Sequence, residues 1–224
     1  MSYVDLGRKY VDQIGDYLEY KWVRSVIVVG LVVSATVGGY YWYHNFTFKR
    51  QGGAVAAFDQ ATQIYYKAIA AELGVGDKDT EASWSEVEMV FDTAFQEHKN
   101  SSFAPYFLIY QAQALANQKK YDLAAKAAGQ ALSQLNQSSP FYDLYQILHA
   151  SILLDSGNQA GVLELQSVIG RNGAYQQMAQ YYLAQYHLSL GETEIATKLF
   201  REIAESPIEY EFQGSWAKLA SSYL

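Results

Sequence analysis

Hydrophobic positions follow two regimes along this chain. From Ser25 to Phe48 no Lys, Arg, Asp or Glu interrupts the sequence, and Val26-Ile27-Val28-Val29-Gly30-Leu31-Val32-Val33 forms an apolar core within it. After Arg50 the apolar residues recur three and four positions apart, in stretches of about fifteen residues separated by short polar breaks, the spacing of amphipathic helices. Only three prolines interrupt the 224 residues, which favours long helices. The pattern predicts an all-α chain: one membrane helix followed by a domain of helix pairs.

The nineteen residues Ser25–Tyr43 would make a helix roughly 28 Å long, close to the thickness of a bilayer's hydrocarbon core. Tyr20 and Trp22 flank one end and Tyr40, Tyr41, Trp42 and Tyr43 the other, as amphipathic rings do at headgroup level. Lys21, Arg24, Arg8 and Lys9 precede the span, against Lys49 and Arg50 after it, which predicts a cytoplasmic N-terminus and a domain across the membrane. Gly30, Ser34 and Gly38 recur every four residues and would let another membrane helix approach closely on that face. A cleaved signal peptide is the rival reading, since Val33-Ser34-Ala35 suits a cleavage site; the four acids upstream and the aromatic belt downstream argue for an anchor. Residues 1–24 place Tyr3, Val4, Tyr10, Val11, Ile14, Tyr17 and Leu18 at helical spacing, so an amphipathic helix and a partly ordered tail both fit. Residues 44–53, ending in Gly52-Gly53, read as a juxtamembrane linker.

Residues 54–224 show a period near 34 residues, the signature of stacked helix pairs. Units are expected near 54–101, 105–140, 143–173 and 177–207, with a capping helix over 208–224. The starts Pro105, Asp143 and Gln177 are separated by 38 and 34 residues. Ala112, Ala150 and Ala184 are expected where each first helix meets its own second, because a small side chain lets two axes close to about 8–10 Å. Ala124, Val162 and Ala196 are expected at the reciprocal places. Larger side chains such as Leu115, Leu153, Leu183 and Phe200 then fill the space between units, and stability comes from stacking.

Charge and chemistry narrow the function. Residues 1–43 carry four basic and four acidic side chains, so the remaining 181 hold the whole net charge of −7. An acidic domain repels phosphate backbones, and no nucleic-acid partner is expected. Without cysteine there is no thiol chemistry and no cysteine-ligated zinc. His44, His98, His149 and His187 lack metal-ligand spacing; His149 and His187 read as hydrogen-bonded structural residues. Gly74-Val75-Gly76 has no following Gly-Lys-Ser/Thr and implies no phosphate loop. The expectation is a non-enzyme without cofactor, metal or small-molecule substrate.

Leu183-Ala184, Leu190-Gly191-Glu192, Ala196, Phe200 and Pro207, and again Ala112, Tyr121, Ala124, Ala131 and Pro140, resemble the tetratricopeptide (TPR) repeat. The whole layout, and the segment Glu88–Leu123 most of all, resembles the YfgM-like family of bacterial envelope proteins. That resemblance implies a single-pass protein of the bacterial inner membrane, with a periplasmic right-handed TPR-like solenoid. It further implies an accessory subunit of the SecYEG translocon that works with a membrane-anchored periplasmic chaperone such as PpiD in handling secreted proteins. Gln166 and Ile169 stand where that repeat usually has an aromatic and an alanine, and the N-terminal tail is rich in tyrosine. A structural or assembly subunit of another envelope complex fits the same layout.

In this repeat class the first helices line the concave wall. The register assigns Tyr106, Ile109 and Gln113, then Leu144, Ile147 and Ser151, then Met178, Tyr181 and Gln185 to a partner-binding surface. The set lacks Lys and Arg, so it suits an extended apolar or tyrosine-rich segment better than a terminal carboxylate.

Overall fold

A computed structural model describes residues 51–74, 82–206 and 213–224, and every regular element among them is a helix. The expected membrane span Ser25–Tyr43, its Gly30/Ser34/Gly38 face and the segment 1–24 lie outside the described residues. Among the described residues no helix is long and apolar enough to cross a membrane.

The first helix among the described residues, α1, includes residues 51–72. It is followed by α2 (Trp84–His98), α3 (Ala104–Asn117), α4 (Tyr121–Gln134), α5 (Tyr142–Asp155), α6 (Ala160–Gly170), α7 (Gln176–Ser189), α8 (Thr193–Glu205) and α9 (Gln213–Ser221). Residues 51–53, assigned to the linker by sequence, are helical. Gly53 lies so near α2 that an added Cβ would be 3.3 Å from the His98 ring. Of the glycine pair, Gly53 serves this close packing, while Gly52 has open space around it.

From α2 to α9 each helix packs on its neighbours in sequence, and α5 also meets α7. Local signals set the ends. Ser83 caps α2 by accepting the Glu86 amide at 3.2 Å, with Glu86 itself three residues on as in a capping box. Pro105 occupies the first turn of α3, where a missing N–H costs nothing.

The turns inside successive pairs share one geometry. Lys119, Gly157 and Gly191 each take positive φ, at 60°, 81° and 78°. After each, the next residue's amide reaches back to the third-last helical carbonyl: Lys120 to Leu115, Asn158 to Leu153 and Glu192 to His187, at 2.9, 2.8 and 2.9 Å. The left-handed residue itself donates to Ala116, Leu154 or Leu188, which completes a Schellman motif. These residues are separated by 38 and 34 positions, the same offsets as the unit starts.

Ala112, Ala150 and Ala184 are fully buried, packed respectively with Ala124, Ala127 and Ala128 of α4, with Leu165 and Val168 of α6, and with Ala196 and Phe200 of α8. The middle pair departs from the expected register. Val162 and Ile169 are only half-buried, and Gly161, Leu165 and Val168 turn inward instead. Gly161 is the cause: a Cβ there would meet the Ala150 carbonyl oxygen at 2.4 Å, so the bare backbone of α6 sits against α5 and sets the rotation of the helix.

The N-terminal core is aromatic, with Phe91 and Phe107 fully buried and Tyr110 stacked on Phe91 at 5.0 Å. Burying one such ring contributes about 2–3 kcal/mol. His149 and His187 are structural, as the sequence indicated. His149 Nδ1 bonds Glu164 on the second helix of its pair at 2.9 Å, and His187 Nδ1 bonds Glu192, the residue that precedes α8, at 2.5 Å.

Candidate binding groove

The first helices α3, α5 and α7 present one face to a shared groove. Its central cavity, of about 190 Å³, is bounded by Gln113 of α3, Leu144, Tyr145, Leu148 and Ser151 of α5, and Met178 and Tyr182 of α7. That is about the size of an interior space able to hold a benzene-sized group. A second cavity, of about 430 Å³, adjoins it through Ser151 and Tyr182. It continues past Asp155 at the end of α5 and Gln185, Tyr186 and Ser189 at the end of α7. The larger cavity falls in the size range of small-ligand pockets, about 300–1,000 Å³.

The residues assigned from sequence divide accordingly. Gln113, Leu144, Ser151 and Met178 line the smaller cavity, while Ser151 and Gln185 line the larger. Ile147 forms part of the smaller cavity's wall but is 1% exposed, and Ile109 is likewise 1% exposed; both belong to the packed interior, which corrects their assignment to the surface. Tyr106 packs edge-on against Tyr145 at 6.0 Å and Phe58 at 6.5 Å. Tyr181 is turned towards the C-terminal helix, 5.3 Å from Trp216 and 5.8 Å from Phe200. Its hydroxyl accepts from Gln185 at 3.0 Å and meets the Tyr223 hydroxyl at 3.3 Å.

One rule accounts for these departures. The groove face steps four residues and then three, through Leu144, Leu148, Ser151 and Asp155 on α5 and through Met178, Tyr182, Gln185 and Ser189 on α7. The sequence register took the step of three first. At roughly 100° per residue, that choice moves the middle side chain towards the neighbouring helices. Leu148 and Tyr182 were therefore missed, and Asp155 lies one step of four beyond Ser151, the last position assigned on α5. The α3 counterpart, Tyr110, is covered by α1: Tyr65 packs on it at 4.9 Å and donates its hydroxyl to Gln113 at 2.6 Å.

No protein-family model and no curated protein matches this chain.

Burial shapes the groove's electrostatics. Tyr145 is pushed up to about 12 by burial and by the neighbouring tyrosines Tyr106, Tyr110 and Tyr175. Tyr182 is raised by burial and by the Asp155 carboxylate beside it. Asp155 is itself raised by burial, and no Lys, Arg or His lines either cavity. Among the described residues no group of three His, Asp or Glu side chains is placed to hold a metal ion. The groove's chemistry is that of hydroxyl, amide, aromatic and aliphatic groups around two adjoining spaces, with one carboxylate at one end.

Proposed function

We propose that this protein is a membrane-anchored interaction scaffold: a single-pass anchor at residues 25–43 carries a right-handed TPR-like solenoid whose groove receives polypeptide. The observation that carries this reading is the pair of adjoining cavities along α5 and α7. An extended chain places alternate side chains on one face about 6.5–7 Å apart, so residues two apart can enter neighbouring spaces. Tyr, Met and amide side chains suit such a surface because they adapt to several partners.

By its resemblance to the YfgM-like layout, the protein would sit in a bacterial inner membrane with its repeat domain in the periplasm. There it would act as an accessory subunit of the Sec translocon alongside a PpiD-like chaperone. The shared geometry of the turns after α3, α5 and α7 supports the repeat reading on which that resemblance rests.

The test is site-specific photo-crosslinking in membranes of the source organism, with the probe at Tyr182 in the groove or at Leu163, which is 69% exposed on α6. Adducts with translocon or chaperone chains are expected from position 182 and not from 163. Equal adducts from both positions, or only lipid and self-adducts, would sink the proposal. Alkaline extraction should leave the protein in the membrane pellet; recovery in the soluble fraction would remove the anchor.

A further inference from the structure

The larger cavity has a sign. Asp155 is the last residue of α5, and Ser189, the last residue of α7, borders the same space with Leu190 beyond it. Helix carboxyl ends carry partial negative charge, so an acidic side chain at that end adds to a field already unfavourable to it. Among the described residues Asp155 has no ion pair; the bridges formed involve Glu88, Asp143, Glu164, Glu192 and Glu202. Tyr182 and Tyr186 line the cavity with aromatic rings, whose faces attract cations. Two helix ends, one carboxylate and two tyrosines thus converge on a space with no positive side chain of its own.

We propose that this cavity is a cation subsite, which takes the lysine or arginine side chain of an extended partner polypeptide while an apolar side chain two residues away enters the smaller cavity. The inference rests on reading the groove as a polypeptide site and adds the class of sequence it selects. Charge complementarity favours this occupant. The chain carries a net charge of −7, and a bound ammonium or guanidinium group would face the Asp155 carboxylate in a space that the ends of α5 and α7 border. Asp155 is exposed at the edge of the cavity, so its carboxylate is open to an incoming cation.

Fluorescence anisotropy on the full chain in mild detergent tests the proposal. The probe is a fluorescein-labelled Gly/Ser dodecapeptide with Leu-Ser-Lys-Ser-Leu at its centre, compared with versions carrying norleucine or Glu for Lys. The Lys probe should bind about tenfold more tightly than the norleucine probe, and the Glu probe more weakly than either. Asp155→Asn, checked by its melting temperature for an intact fold, should reduce the Lys-over-norleucine ratio to about threefold or less. Equal affinity of the Lys and norleucine probes would overturn the cation subsite and leave the groove reading intact. Absence of binding by all the probes would overturn both. Lys-probe binding that weakens as protein concentration rises would mark a second copy of this chain as the occupant and would also overturn the proposal.

Discussion

The backbone of Gly161 faces the carbonyl of Ala150 so closely that a Cβ on the glycine would lie 2.4 Å from that oxygen and 2.7 Å from Leu154 Cγ. The carbonyl belongs to the body of α5 and cannot swing aside as a flexible side chain could. The contact therefore fixes both the separation and the rotation of the α5–α6 pair, whose inner faces build the core beneath the groove.

Gly161→Ala should accordingly destabilise the protein. Overpacking typically costs about 1–3 kcal/mol, and the better helix propensity of alanine returns about 1 kcal/mol at most. A net loss of up to about 2 kcal/mol is expected in chemical denaturation. Gly170 ends the same helix with nothing within 4 Å of its would-be Cβ. Gly170→Ala should be neutral or stabilising by up to about 1 kcal/mol. Equal destabilisation by the two substitutions would contradict the close approach.

Lys119 occupies, with φ of 60°, the place that glycine takes at 157 and 191. A left-handed conformation costs a residue bearing a Cβ about 1–2 kcal/mol, while glycine adds about 0.4–1 kcal/mol of unfolded-state entropy to be lost on folding. Lys119→Gly should therefore stabilise by about 0.5–1 kcal/mol, visible as a higher denaturation midpoint with unchanged slope. A lower midpoint would mean that the lysine side chain contributes more than the turn strain removes.

Asp155 carries a pH signature. Its folded-state carboxyl is raised by burial, so the native state holds this proton more tightly than the unfolded chain does. Below the unfolded value, near about 4, both states are protonated and the residue contributes no difference. As pH rises through that value the unfolded chain ionises first, and stability falls until the folded carboxyl has ionised as well. Asp155→Asn should melt like the wild type at about pH 3 and above it at pH 7, the gap opening as pH rises. Measured melting curves that diverge in acid and converge at neutral pH would show the shift to be of the opposite sign.

Much of the helix array was legible because its signals are local. The break at Leu190-Gly191-Glu192 and the alanines at 112, 150 and 184 act within a few residues or at one helix crossing. Their recurrence at matching offsets gives the unit boundaries. The groove was half legible. Gln113, Leu144, Ser151, Met178 and Gln185 were placed by helical spacing. Tyr182, Leu148 and Asp155 required knowing which side of each first helix its neighbours already occupy.

The sequence alone determined that the described part would be helical, where the helix pairs would break and which small residues would sit between paired axes. Backbone dihedral preference and helical period are properties of short stretches. Only the tertiary structure decided that Gly161 turns inward in place of Val162, that Ile109 and Ile147 are packed away, and that α1 covers Tyr110 while the matching faces of α5 and α7 stay open. Those outcomes depend on helix rotations of a few tens of degrees, which are set by steric contact between side chains far apart in the chain.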